Sequence, residues 1–117
     1  MVYDELYCKI YLDTNLTYEN LFAAIIKCTN GKKDALTYIV TDWSEISVQR
    51  NKEYSEMAYL KNAHDFLNWR YYLDIEPNNK SKENYIDEVC KLSQMLKKYC
   101  KGVVPSCDFE DEVNSYI

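Results

Sequence analysis

Leu67-Asn68-Trp69-Arg70-Tyr71-Tyr72-Leu73-Asp74-Ile75 decides the fold class. Leu67, Trp69, Tyr71, Leu73 and Ile75 share one side of an extended chain, while Asn68, Arg70, Tyr72 and Asp74 share the other. Successive side chains point to opposite faces of a strand. This period of two therefore predicts a strand over 67–75 with one face in a core and one toward water. Such a strand belongs to an antiparallel sheet covered on one side, because a parallel sheet buried on both faces reads as unbroken aliphatic residues.

Toward the N-terminus, residues Tyr3 to Asp13 alternate in the same way, with Leu6, Cys8, Ile10 and Leu12 against Tyr7, Lys9, Tyr11 and Asp13. Thr17 is a suitable helix cap, and Leu16 and Leu21 occupy the two positions of a hydrophobic staple. The apolar stripe Leu21, Phe22, Ile25, Ile26 and the stop at Gly31 predict a helix over about 17–30. Ala35 to Thr41 predicts a second strand. Asp42-Trp43-Ser44 is expected to be a bulge in it, because Ile46 and Val48 resume the alternation. Residues 51–65 are polar and suit a long connection with a helical turn around Ser55 to Lys61.

Beyond the strand at 67–75, Pro77-Asn78-Asn79 reads as a turn and Ser81 as a cap. Tyr85, Val89, Leu92, Leu96 and Tyr99 then recur at four-three-four-three spacing, the stripe of a helix lying on a sheet, and Gly102 stops it. Val103 to Phe109 is the last strand, and Pro105 marks it as an edge strand or a bulged one. The order strand, helix, strand, strand, helix, strand predicts an α+β, ferredoxin-like βαββαβ fold: a four-stranded antiparallel sheet with two helices on one face. The 117 residues form one domain, 1–117, with 110–117 an acidic and then polar tail.

The formal net charge of −5 disfavours nucleic acid, whose phosphates a negative surface repels, and favours a basic protein as partner. The five cysteines are widely spread without a C-x-x-C pair, and His64 is the only histidine, which argues against a zinc site of ordinary spacing. With no secretory leader and no apolar run of membrane-spanning length, the expected setting is a reducing cytoplasm with mostly buried thiols. Two isolated glycines build no phosphate loop, and the acidic run at 108–112, although its carboxylates suit a hard cation, lacks a D-x-D-x-D-G loop, so neither cofactor nor metal is expected. His64, in the least regular segment, reads as a solvated loop residue. Cys107 falls in the core-facing phase with Val103 and Phe109, where a thiol behaves as a small hydrophobe.

Two surfaces are candidates for recognition. One is the acidic run Asp108, Glu110, Asp111 and Glu112, suited to steering a basic partner, with Asp42, Glu45, Asp74 and Glu76 as further acids at strand ends. The other is the solvent face of the sheet. With the first and third strands adjacent, Tyr7, Tyr11, Arg70 and Tyr72 come close together. Aromatics on those strands suit an RNA-recognition sheet, but the glycine-aromatic RNP-1 pattern is missing and Asp13, Asp74 and Glu76 repel phosphate. Tyrosine and arginine are favoured protein–protein anchors, which makes protein contact the better expectation.

The stretch Trp69-Arg70-Tyr71-Tyr72-Leu73-Asp74-Ile75-Glu76-Pro77, the capped helix after it, and Gly102-Val103-Val104-Pro105-Ser106-Cys107-Asp108-Phe109-Glu110-Asp111-Glu112 together resemble a group of small, largely uncharacterised bacterial proteins. That group includes immunity-type partners of polymorphic toxins. The resemblance covers about the C-terminal half and implies a cytoplasmic, non-enzymatic immunity or antitoxin role in which an acidic, tyrosine-rich surface blocks a cognate basic toxin. It implies no shared catalytic residues. Tyr7, Tyr11, Arg70 and Tyr72 are then the expected anchors and Asp108, Glu110, Asp111 and Glu112 the expected steering charges, with Asp74 a further partner-binding residue. The alternatives are a homodimer packed sheet to sheet, with a small ligand between the copies, and a small enzyme using Cys107 or the acidic tail.

Overall fold

A computed structural model describes residues 5–35, 37–78 and 82–117. The expected contributions of Tyr3, Leu36, Asn79 and Ser81 lie outside the described residues. The elements are β1 (Cys8–Asp13), α1 (Tyr18–Thr29), β2 (Lys32–Lys33), β3 (Tyr38–Val40), β4 (Ser44–Arg50), α2 (Glu56–Lys61), a 3-10 turn (Phe66–Asn68), β5 (Tyr71–Pro77), α3 (Lys82–Leu96), β6 (Gly102–Ser106) and α4 (Glu110–Asn114). The strands make one antiparallel sheet in the order β2-β3-β4-β5-β1-β6. The class is therefore α+β with an antiparallel sheet, as expected. The sheet has six strands, however, where four were expected.

The extra strands come from 32–48. The Thr41 hydroxyl accepts the backbone N–H groups of Trp43 (3.1 Å) and Ser44 (2.9 Å), and the Thr41 N–H donates to the Ser44 carbonyl at 2.9 Å. These bonds reverse the chain, so Asp42-Trp43-Ser44 belongs to a hairpin turn and not to a bulge within one strand. β3 folds back on β4 with Ile39 opposite Ile46, and the two residues of β2 extend the sheet beyond β3.

Register sorts the core. Ile39, Ile46, Ile75 and Cys8 form one row across four strands, and Val48, Leu73 and Ile10 form the next. All are fully buried. The helices cover this face: Leu21, Phe22 and Ile25 of α1 and Tyr85, Val89, Leu92 and Leu96 of α3 join those strand residues in a single apolar cluster. Thr17 caps α1 through the Asn20 N–H at 3.2 Å, and Asn30 ends it in the left-handed conformation. Complete burial of a leucine such as Leu73 is worth about 1.5–3 kcal/mol, so these rows dominate the stability of the fold.

The deciding stretch begins differently from its prediction. Leu67 and Trp69 share the alternation of 71–75, but β5 starts only at Tyr71. Asp65 caps the 3-10 turn through the Leu67 N–H (3.1 Å) and accepts from the Asn68 side-chain amide, which takes 66–68 out of the strand. Leu67 is 51% exposed. Trp69 is buried, yet it stands outside the main apolar cluster. The last residues differ too. Residues 110–114 are helical and not a trailing tail, because Phe109 and Val113 insert into the core and hold α4 against it. β6 is an edge strand, which accounts for the tolerance of Pro105 in it.

Candidate protein-binding face

The sheet face turned away from α1 and α3 carries Tyr38 of β3, Glu45, Ser47 and Gln49 of β4, Tyr72, Asp74 and Glu76 of β5, and Lys9, Tyr11 and Asp13 of β1. Half of it is covered by the 51–69 connection. Phe66 lies against Tyr11 with ring centroids 5.0 Å apart, and Tyr11 lies 6.0 Å from Tyr72, its register partner. Trp69 stacks edge to face on Phe66 and donates its indole N–H to the Ala63 carbonyl at 2.8 Å. Trp69 also occupies the space above Gly102, where an added Cβ would meet its ring at 2.4 Å. Ser55 caps α2 through the Ala58 N–H, as the expected helical turn required. Tyr59 donates to Asp13 at 3.1 Å and draws that helix onto the strand end.

The other half is open. Tyr7, Asp34, Tyr38, Glu45, Ser47, Gln49, Asp74 and Glu76 line a cleft of about 440 Å³ across β3, β4 and β5. Its charges are arranged against the usual rule for sheets. Glu45 and Glu76 stand directly opposite each other across β4 and β5, where like charges destabilise a pair. Both are exposed, as is Asp34. The only ion pair among the described residues is Lys91–Glu88 on α3, so none of Asp34, Glu45 and Glu76 is in an ion pair with a described cation. Asp74 differs from them: it accepts the Tyr7 hydroxyl and stands opposite Lys9 in register. Burial first, and then the bond to Asp74, push the Tyr7 phenol well above its ordinary value, so it stays a neutral donor. Lys9 places its ammonium 4.4 Å over the Tyr72 ring, a cation–π contact that fills the centre of the face.

Of the expected anchors, Tyr7, Tyr11 and Tyr72 come together, and Asp74 joins them, with Tyr11 partly covered by Phe66. Arg70 does not join them. It donates to the Tyr54 hydroxyl at 2.9 Å beside Asp13, Tyr59 and Leu60, in a smaller depression of about 140 Å³ under α2. Asp108, Glu110, Asp111 and Glu112 are not on this face either. Asp108 accepts the Glu5 N–H at 3.2 Å, and Glu110 turns back to the Cys107 N–H at 3.3 Å. α4 packs with α3 and β6, at the opposite end of the sheet from the cleft. The cleft residues missed by the sequence reading are Asp34, Tyr38, Ser47 and Gln49, because only the unforeseen hairpins of β2, β3 and β4 set them beside one another.

α2 adds a second exposed feature. None of its residues is buried, and Met57 and Leu60 are 73% and 77% exposed on one side of it. His64 is exposed in the connection, with only its backbone N–H held, by Asn62. Among the described residues, no three His, Cys, Asp or Glu side chains are grouped to hold a metal ion, and no helix is long and apolar enough to cross a membrane. No protein-family model, curated protein or solved structure matches the chain.

Proposed function

We propose that the chain is a non-enzymatic binding protein of the immunity or antitoxin type, which engages a basic protein toxin through the open half of its sheet. One observation carries the reading: the exposed Glu45–Glu76 pair, like charges in direct register with no ion pair to a described cation. An arrangement that weakens the sheet yet costs little to correct suits a site that a cationic partner completes. Tyr7 and Tyr38 supply rings with polar tips beside those charges, the composition of an interface anchor. The acids of α4 lie outside this footprint and contribute to encounter through long-range attraction. Within the sheet, β6-β1-β5-β4 is a ferredoxin-like unit in strand order, and β2 and β3 widen it on the side that bears the cleft. Five free cysteines support action in a reducing cytoplasm.

The homodimer reading is weaker, because two copies packed by these faces would set Asp34, Glu45 and Glu76 against their own like charges. Co-expression with the variable C-terminal domain of a neighbouring secreted protein tests the proposal. The unaltered chain should restore growth, and a Glu45→Lys/Glu76→Lys variant that retains its unfolding midpoint should not. Equal protection by the charge-reversed chain would overturn the role of the cleft. A stable dimer in light scattering, with no protection by either form, would overturn the function.

A further inference from the structure

Three thiols of this chain lie toward one end of the sheet, and two of them face each other. The β1–β6 ladder pairs Asp13 with Gly102 and continues regularly to Lys9 opposite Ser106. β6 ends at Ser106, and the same register carried one step further sets Cys8 opposite Cys107. Cα atoms directly opposite in an antiparallel pair are about 4.5–5.5 Å apart. That lies within the span of about 4.4–6.8 Å that a disulfide bridges without backbone movement. The side chains agree with the register. Cys8 is buried in the core, and Cys107 packs half-buried against the same cluster. The other polar neighbour of Cys8, the Lys9 carbonyl, is 3.8 Å away. Both cysteines are free.

We propose that Cys107 and Cys8 form a peroxide-oxidisable pair, in which Cys107 is the attacking thiol and Cys8 the resolving one, closing an intrachain disulfide between β1 and the end of β6. The roles follow from access: Cys8 is fully buried, whereas Cys107 is partly open to solvent. The polar surroundings agree with that assignment. Its neighbours Cys8 and the Phe109 backbone lower the Cys107 pKa, against burial and the Glu110 and Asp108 charges. Cys8 is pushed the other way, by its neighbour Cys107 and by burial, and keeps its proton.

The chemistry balances with hydrogen peroxide as the oxidant. The Cys107 thiolate attacks one peroxide oxygen, the O–O bond breaks, and the departing hydroxide leaves as water after taking up a proton. Cys107 is then a sulfenic acid. The Cys8 sulfur attacks the Cys107 sulfur, the S–S bond forms as the S–O bond breaks, and the hydroxide departs as water with the Cys8 proton. Two thiols and one peroxide yield one disulfide and two waters.

Trypsin separates all five cysteines, leaving Cys8 in the peptide 1–9 and Cys107 in the peptide 102–117. The folded full-length chain, exposed to graded hydrogen peroxide, blocked with N-ethylmaleimide and digested, should give a 1–9/102–117 cross-link that dithiothreitol reverses. In Cys8→Ala, Cys107 should stop at the sulfenic acid and be captured by dimedone, which keeps the test readable if Cys107→Ser folds poorly. The oxidised chain should also show a higher urea midpoint than the reduced one, because the bridge closes a loop of nearly the whole chain. A cross-link from Cys107 to Cys90, a disulfide between two copies, or Cys107 left as free thiol while other cysteines oxidise would each overturn the pairing.

Discussion

The helix-covered and open faces of this sheet share the same strands but differ in what their cross-strand pairs do. On the covered face Ile46 stands opposite Ile75 and Val48 opposite Leu73, and each pair is fully buried under α1 and α3. One residue along β4, on the open face, Glu45 stands opposite Glu76 in water. The first kind of pair favours folding. The second opposes it. A sheet selected for stability alone would carry a Lys–Glu or Thr–Thr pair at that position. The difference locates stability on one side of the sheet and the case for recognition on the other.

The largest expected effect tests the covered side. Leu73→Ala removes a fully buried side chain from the central row and should lower stability by about 2–5 kcal/mol, measured as a fall in urea midpoint at constant slope. A loss below about 1 kcal/mol would mean that the row is loosely packed and that the contrast between the faces is false.

The next effect comes from the open face, where the aromatic cover touches the sheet. Gly102→Ala would drive a Cβ to 2.4 Å from the Trp69 ring, so the ring must move and uncover Phe66 and Tyr11. The expected loss is about 1–3 kcal/mol, with a red shift in tryptophan emission as Trp69 meets water. If the midpoint falls and the emission does not shift, the 51–69 connection follows Trp69 as a rigid body. That result would join the covered half of the open face to the core in stability.

Tyr85 gives the contrast a pH signature. It lies deep in the covered face, donates to the Ile75 carbonyl at 3.0 Å, and has its phenol pushed up, chiefly by burial and then by the thiols and carboxylate around it. In the unfolded chain the same group ionises near the ordinary value of 10.0. A raised folded-state value means that the unfolded chain holds fewer protons above that pH. The contribution of Tyr85 is therefore complete below pH 10 and is lost as pH rises from there toward the folded-state value. The slope is at most about 1.4 kcal/mol per pH unit for one group. Urea midpoints at about pH 8 and about pH 11 should show the fall, and Tyr85→Phe should flatten it. An unchanged slope in that variant would assign the alkaline loss to other tyrosines.

How much of this was legible in the sequence depends on what each signal measures. The stripes of α1 and α3 were clear because one apolar face recurring over three or four turns is produced by little except an amphipathic helix, and Thr17 marked its own helix start. The central strands were clear wherever alternation coincided with extended backbone. Alternation misled at Leu67 and Trp69, because two residues in phase do not distinguish a strand from a capped 3-10 turn. The β3–β4 hairpin was hidden for a related reason. A turn that preserves parity looks like a bulge when the Thr41 side-chain bonds are unseen. Tyr7, Tyr11, Tyr72 and Asp74 converged as their phases required, whereas Arg70 was drawn off by Tyr54, in a connection without period. The Glu45–Glu76 opposition could not be found at all. It exists only in the register between β4 and β5, which the whole 51–69 connection separates along the chain.

The smallest expected effect bears most directly on that opposition. Glu45→Gln keeps the size and hydrogen-bonding capacity of the side chain and removes one of two facing charges. If the pair is repulsive, the variant is more stable than the unaltered chain, by about 0.2–1 kcal/mol at low salt. In about 1 M salt the Debye length falls to about 3 Å, shorter than the spacing of opposed side chains, so the gain should vanish. Urea midpoints at both ionic strengths, with the slope held constant, measure it. The sign matters more than the size. A gain that salt removes makes Glu45 a residue that costs stability, and the same variant should then protect less well against a basic toxin. A loss of stability at low salt would show that Glu45 is held by an attractive neighbour within the fold, and the open face would then need no partner to account for its charges.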